Sequence, residues 1–456
     1  MKKFILGVWT LIALSCQAQP SAGVQEEELI FRNVNIVPMD KEEVLTNYDI
    51  LINDGKISDM GKTGTVKTGK NARVIDASGK YLMPGLAEMH AHVPPVNDME
   101  VMKPVVRLFA LKGITTIRGM LGHPLHIELR KKINSGEILG PRFISSGPSF
   151  NGNSVKSPEA ARKMVNDQKN AGYDFFKLHP GLTRQNFDAM AEEAKRVGMT
   201  FAGHVSFDVG VWRAIEAGYA TIDHLDGFVE SLVPGIENMT EQQTGLFGLF
   251  IADKVDESRI QRLMDSLKAN NIWVVPTQAL AERWFHPDRP ADELAKDPEM
   301  KYMNSGTLNG WVNAKKNLLN NPNYKAETVR RLIDVRKKLI KACQDSGVGL
   351  LLGSDAPQIF DVPGFSTHHE LAYLVDAGLT PYQALRTGTI NTGKFLKRDD
   401  IGVIRKGAVA DLLLLNGNPL QDIKHTWDIE GVVLRGVWLD KGYIEGELKK
   451  LEGGIK

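Results

Sequence analysis

Cysteine is nearly absent from this chain of 456 residues, which carries only Cys16 and Cys343. Two cysteines cannot build a disulfide framework, and neither sits in a CxxC pair, so disulfide scaffolds and CxxC redox motifs are excluded. A charge of one sign is also missing. Lys and Arg number 56 against 55 Asp and Glu, for a formal net charge of +1, which leaves no electrostatic footprint for nucleic acid or an anionic membrane. No apolar run reaches the ~20 residues needed to cross a bilayer. What is there is globular composition, 42% hydrophobic and 24% charged with 43 Gly and 21 Pro, neither disordered nor fibrous. The length suits one large domain plus a smaller one.

The first residues read as an export signal. Lys2-Lys3 form the positive region, and Phe4 to Leu14 give an apolar stretch of about eleven residues, the usual length for such a core. Cys16 follows in Ala13-Leu14-Ser15-Cys16, which resembles a bacterial lipobox with its first two positions exchanged: the usual order has Leu three residues before the cysteine and a small residue next. Two outcomes follow, lipidation of Cys16 or ordinary cleavage after Ala18. Residues 1–18 are then a signal, ending before Cys16 if that cysteine is lipidated, and either outcome places the protein outside the cytoplasm, periplasmic or anchored as a lipoprotein. Membrane contact is then expected only through a lipid on Cys16. Residues 19–28 form a polar tether.

From Leu29 onward the pattern becomes short alternating runs, Leu29-Ile30-Phe31, Val34 to Val37 and Asp49 to Ile52, with Asn53-Asp54-Gly55 as a hairpin turn. Asp411 to Leu415, Gly431 to Leu434 and Val437-Trp438-Leu439 repeat that grammar at the other end. The two ends are therefore expected to meet in one small β-sandwich domain, residues 29–83 with 403–456. The middle, 84–402, alternates apolar strands with amphipathic helices, the pattern of parallel βα units. Thr183 predicts a helix start ahead of Phe187, Met190, Ala194 and Val197, with Gly198 ending it, and Thr380-Pro381 predicts another.

Eight candidate strands end at His92, Arg118, Gly147, Lys177, His204, His224, Pro276 and Asp355. The fold class expected is α/β, a (β/α)8 TIM barrel, in which reacting groups sit at the C-terminal strand ends. In His90-Ala91-His92, alternation points both imidazoles to one side of a strand. His204, His224 and Asp355 at later strand ends complete a set of ordinary zinc donors. A buried core histidine is the default reading of each alone; on successive strand ends they point together to a metal site. Lys177 lies at an apolar strand end where burial favours its neutral amine.

With these residues the chain resembles the amidohydrolase superfamily, in its imidazolonepropionase-like and prolidase-like branch, from roughly Leu29 to Glu447. The likeness rests on Met83-Pro84-Gly85 before His90-Ala91-His92, Gly113 to Arg118, Gly140-Pro141-Arg142, Gly353-Ser354-Asp355, and Gly402-Val403-Ile404 with Lys406 to Leu412. The resemblance implies two divalent ions, zinc by preference: His90 and His92 with Asp355 for one, His204 and His224 for the other, and a CO2-derived carbamate on Lys177 between them. A one-metal site is the alternative. It also implies that a metal-bridging hydroxide attacks while Asp355 moves the proton to the leaving nitrogen.

The chain departs from the family where Gly119 follows Arg118 in place of the usual Asp, which removes any role inherited from that carboxylate. Arg118 is read either as a substrate-carboxylate clamp or as a stitch to a neighbouring loop. His123 and His179, just past strand ends, are further substrate-binding candidates. The stretch from Thr277 to Gly349 is long for one connection, about seventy residues. Its first part, with Trp284, Phe285, His286 and Trp311, is read as a cover over the barrel mouth or as a surface excursion, and Ala326 to Cys343 as a helix. His368-His369-Glu370 reads as packing rather than a further metal site.

The function these residues imply is an exported metal-dependent amidohydrolase cleaving an amide bond of a dipeptide, Xaa-Pro-like, or of an N-acyl amino acid. The enzyme alternative is a hydrolase of cyclic amides or lactones. The alternative from another class, a non-catalytic surface binding protein, fits poorly with six retained ligand-type residues. The partner is a small-molecule substrate, and self-association is left open. Expression of the full-length chain in a bacterial host should yield a shortened N-terminus, and Cys16→Ser should move a lipidated protein out of the membrane fraction. A cytosolic chain retaining Met1 would exclude export, and a mature form beginning at Gln19 would exclude lipidation alone.

Overall fold

The computed structural model describes residues 28–454, so the expected export signal and nearly all of the tether lie outside the described residues. Five strands open the chain: β1 (Leu29–Ile36), β2 (Leu45–Asn53), β3 (Lys56–Lys62), β4 (Arg73–Asp76) and β5 (Tyr81–Pro84). Seven follow in the middle: β6 (Leu86–Ala91), β7 (Ile114–Gly119), β8 (Arg142–Ser145), β9 (Phe176–Leu178), β10 (Phe201–Gly203), β11 (Thr221–Asp223) and β12 (Trp273–Val275). Three close it: β13 (Leu412–Leu415), β14 (Ile429–Leu434) and β15 (Val437–Asp440).

The two chain ends share one sheet, ordered β15-β14-β13-β5-β1-β2-β3 with β4 also paired to β1. The β2–β3 hairpin turns on Asp54 and Gly55, both at positive φ (49° and 68°), as a type I′ two-residue loop requires. In place of two facing sheets, the strands form one continuous sheet that folds on itself. Phe31 of β1 and Trp438 of β15 meet edge to face at 5.1 Å, although three strands separate them along the pairing order. A flat sheet would hold them roughly 19 Å apart at the usual strand spacing.

β13 joins this sheet to the rest of the molecule. Its Leu412 and Leu414 pack in the sheet's own core, while Leu413 and Leu415 belong to the large α/β core. β5 divides in the same way, Leu82 to one side and Met83 to the other. A strand buried on both faces reads as an uninterrupted apolar run, which is what the four leucines of β13 are.

The middle strands are parallel. They form a three-stranded sheet, β6-β7-β8, and a four-stranded one, β9-β10-β11-β12. A bridge from Ser146 to Phe175 links β8 to β9, and another from Val274 to Leu350 carries β12 on to residues 349–352. That segment in turn reaches β6, because Met89 N donates to Leu352 O (2.7 Å) and Asp355 N to His90 O (3.0 Å). The eighth expected strand is thus an extended segment rather than a regular strand. Leu352 turns its own N–H away to Thr387 O (3.1 Å), which interrupts a ladder there.

The helices follow their sequence signals. Helix Arg184–Arg196 is capped by Thr183, buries Phe187, Met190 and Ala194, and gives way to Gly198 at φ 69°. Helix Pro381–Thr387 starts with a full capping box between Thr380 and Gln383. Ala326–Ser346 is one helix. Among the described residues no helix is long and apolar enough to cross a membrane.

Candidate active site

The C-terminal ends of β6 and β9 to β11 and the turn at 353–355 converge on one buried polar cluster. His90, His92 and Asp355 bring one donor atom each to within 4.8 Å of one another. Asp355 Oδ1 lies 3.2 Å from His90 Nε2 and 2.7 Å from His92 Nε2, and Lys177 Nζ lies 3.4 Å from His90 Nε2. The rings of His224 and His90 are 4.4 Å apart, as are those of His224 and His204, and His179 stacks on His204 at 4.9 Å. All six expected ligand residues therefore meet.

Three of the rings have Nδ1 held from behind. His90 Nδ1 lies 2.8 Å from Asp223 Oδ2, His204 Nδ1 3.0 Å from Asp226 Oδ2, and His224 Nδ1 2.9 Å from Thr277 Oγ1. His224 Nε2 is buried without a hydrogen-bond partner among the described residues. Holding one ring nitrogen from behind is how metal-binding imidazoles are oriented.

Burial sets the electrostatics. It pushes the imidazoles of His179, His204 and His224 below the usual range, with Lys177 and their own neighbours adding to the effect, so these rings are neutral donors. Burial brings the Lys177 amine down to about 8, against the pull of Asp223 and Asp355. It pushes the Asp355 carboxyl upward, but His90 and His92 more than reverse this and hold it well below the usual carboxylate range.

The backbone is strained around the cluster. His224, Phe247, Thr277 and Asp355 all have φ between 47° and 74°, a left-handed conformation costing roughly 1–2 kcal/mol for a side-chain-bearing residue. Two motif glycines make room for the ligands. A Cβ on Gly203 would stand 2.8 Å from the Lys177 side chain, and one on Gly353 would stand 2.9 Å from His90 N.

Of the proposed substrate residues, His179 joins the ring row and lines an open polar groove of about 590 Å³ with Ser149, Asn151 and Asn153. His123 instead caps helix Pro124–Asn134, its Nδ1 accepting from Leu125 N at 3.2 Å. Arg118 is 2% exposed. Its Nε donates to Met89 O (2.7 Å) and its Nη2 to Thr221 Oγ1 (3.0 Å) and the Asp223 carboxylate (3.4 Å). That is the stitching role: the guanidinium is spent beneath the cluster, holding the carboxylate that in turn holds His90.

Sequence reasoning missed the supporting groups. Glu88 accepts from Ser354 N, Ser354 Oγ, Thr367 Oγ1 and His90 N; its place two and four residues before His90 and His92 was the available signal. Asp223 precedes His224 directly. Arg336, on the long helix, donates to His224 O and Pro276 O, both at 2.6 Å, and nothing local marks it. His368 bonds Thr426 and Lys112 O, and Glu370 accepts from Gln278 N and Ala279 N, so these two side chains join the helix to neighbouring segments.

A cavity of about 630 Å³ opens beside the rings. It is lined from the loops after β9, β10 and β11, and Phe247 on its wall stacks on His204 (5.8 Å) and His224 (5.2 Å). The 277–325 stretch expected to cover the mouth does not line it. That stretch touches the wall from behind, with the buried Phe285 ring 6.0 Å from Phe247.

The model of the amidohydrolase family matches residues 81–439. The chain belongs to the amidohydrolase family. This amidohydrolase is similar to an adenine deaminase of Ruegeria sp. (strain TM1040), 28% identical over 45% of this chain but 37% of that protein, so it spans well under half of that relative. It is also similar to ochratoxinase of Aspergillus niger, 22% identical over 91% of this chain and 87% of that one. Among solved structures it shares its fold with a Xaa-Pro dipeptidase holding methionine in its active site (TM-score 0.66, 22% identity, 91% of this chain and 100% of that one). It shares it as well with bottromycin amidohydrolase (TM-score 0.70, 22% identity, 93% and 89%).

Replacing Arg118 by Leu would leave Asp223 buried and uncompensated. Burial alone pushes that carboxyl up, and Arg118 first, with His90 and Lys177, brings it well below the usual range. Chemical denaturation of Arg118→Leu should show a loss of about 3–5 kcal/mol, typical of breaking a buried pair on one side. Unchanged stability with only a raised KM would return Arg118 to substrate binding.

Proposed function

We propose that this amidohydrolase hydrolyses the amide bond of a small molecule, a dipeptide or an N-acyl amino acid, at a site for two divalent ions. The observation that carries the proposal is the gathering of four imidazoles, three of them held from behind, with Asp355 and a buried lysine in one cluster. The donor set fits such ions: His224 Nε2 is an orphan in the cluster, and neutral imidazole and carboxylate are normal zinc donors. His90, His92 and Asp355 would hold one ion and His204 and His224 the other. Lys177, whose amine burial brings down to about 8, would supply the neutral amine that a CO2-derived carbamate ligand requires. When bound, the ions supply Lewis acidity and a lowered pKa for water.

The chain's own residues do the rest. Asp355 takes the proton of the attacking water at a carboxylate oxygen and hands it to the leaving nitrogen. Glu88 holds the turn carrying Asp355 against β6, and Phe247 covers one side of the ring row. We further read the two parallel sheets and segment 349–352 as a closed (β/α)8 barrel, which the linking hydrogen bonds support. Export, as residues 1–18 suggest, would place substrate and enzyme outside the cytoplasm. The deaminase relatives point to a different carbon–nitrogen bond, but the structures that match nearly the whole chain include a Xaa-Pro dipeptidase and bottromycin amidohydrolase.

Mass spectrometry of the purified protein should find about two ions per chain. Lys177→Ala should lose metal and activity, with partial rescue by propionate. Asp355→Asn should lower kcat by roughly 10²-fold or more with a smaller change in KM. One tightly held ion in a fully active Lys177→Ala protein would remove the carbamate. Ammonia release from adenine, with a library of dipeptides, N-acyl amino acids, cyclic amides and lactones left intact, would replace amide hydrolysis by deamination.

A further inference from the structure

The cavity beside the imidazole row contains a carboxyl group that the site described so far does not use. Glu230 lies on the short helix Phe228–Leu232 that follows β11 and lines the cavity. Its Oε2 is buried and has no hydrogen-bond partner among the described residues. The walls around it are largely apolar, including Val211, Trp212, Ile236, Met239, Leu246 and Phe247. A buried polar atom without a partner costs free energy that a ligand group of complementary chemistry recovers.

The charges facing Glu230 favour one kind of partner. Asp226, Glu237 and Glu241 line the same cavity, and among the described residues Arg259 is the one basic group that does. Asp226 is already committed to His204 and to Val205 N. Arg259 is paired with Asp256 at 3.6 Å, and Arg262 lies over the Trp212 ring at 4.8 Å. The cavity therefore combines apolar walls with an excess of acid, the complement of an apolar arm ending in a cation. The wall residue Phe247 stacks on His204 and His224, which puts the cavity next to the reacting centre.

We infer that this cavity receives the substrate's side group and that Glu230 selects an apolar arm with a cationic tip. The inference rests on the proposed amide hydrolysis for its substrate form, but not for the binding itself. Burial, with Asp226 adding to it, pushes the free Glu230 carboxyl up to about 8. An arriving ammonium draws it into the charged form, and a proton is released on binding at neutral pH.

Two measurements test this. In the first, the metal-loaded enzyme is given dipeptides carrying lysine or norleucine, in each position in turn. Lysine should be preferred in one position, and Glu230→Gln should cut the lysine-to-norleucine ratio of kcat/KM by about 10-fold or more, as losing a charge-assisted hydrogen bond does. Glu230→Lys should reverse the preference. In the second, calorimetry compares hexylamine with hexanol: the wild type should bind the amine more tightly and release a proton, seen as a dependence of heat on buffer ionisation, and Glu230→Gln should bind both alike. A wild type that favours norleucine and hexanol, or a ratio unchanged in Glu230→Gln and Glu230→Lys proteins that unfold at the wild-type temperature, would overturn the inference. Amine selectivity without cleavage of any amide would leave this inference standing and remove the proposed reaction instead.

Discussion

The site depends on one buried carboxylate. Glu88 accepts from the backbone and hydroxyl of Ser354, from Thr367 and from the backbone of His90, so it joins the strand bearing two histidines to the turn bearing Asp355. Those two stretches lie more than 260 residues apart in the chain. Burial pushes this carboxyl up to about 7, against the four hydrogen bonds that favour its anion. With either charge the group is saturated with donors, and removing it would free the turn 353–355 whose left-handed Asp355 has no local reason to keep its conformation. Register between His90 and Asp355 is then a tertiary property, set by a side chain that need not touch a substrate.

The cluster that Glu88 assembles is costly by itself. Burial holds the neighbouring imidazoles of His204 and His224 below the usual range, and His224 Nε2 is left without a hydrogen-bond partner among the described residues. Arg118, Asp223, Asp226, Thr277 and Arg336 form the counterweight. They fix the back side of each ring or strand end and contribute little a substrate could reach. A polar shell built this completely around a set of open donors is the arrangement expected when a cation offsets the cost.

Much of this was legible in the sequence, for a physical reason. Strand periodicity and the rule that parallel strands carry chemistry at their C-terminal ends place His90, His92, Lys177, His204, His224 and Asp355 without any long-range information, and Thr183, Thr380 and Asp54-Gly55 act within a few residues of themselves. The supporting shell was not legible because its members act across the fold. Arg336 sits among other basic residues on a helix and is distinguished only by the carbonyls of His224 and Pro276 that happen to face it. Arg118 could be placed at a strand end but not told from a substrate clamp, since the choice depends on Asp223 lying across the sheet.

The same limit separates a cover over the barrel mouth from a surface excursion whose aromatics pack down. Length and aromatic content drew attention to residues 277–325, whereas the wall comes from residues after β10 and β11, where Phe247 has φ 56° and faces two imidazoles. The long excursion supports that wall indirectly. Lys315 Nζ gathers the carbonyls of Arg283, Trp284 and His286 within 3.2 Å, which locks the turn that sets Phe285 behind Phe247. Aromatic content thus marks a brace, while Phe247 on the cavity wall is distinguished by its left-handed backbone. A strained aromatic held between a ligand row and a brace cannot relax without moving one of them, so the shape of the cavity and the orientation of the imidazoles are coupled through a single ring.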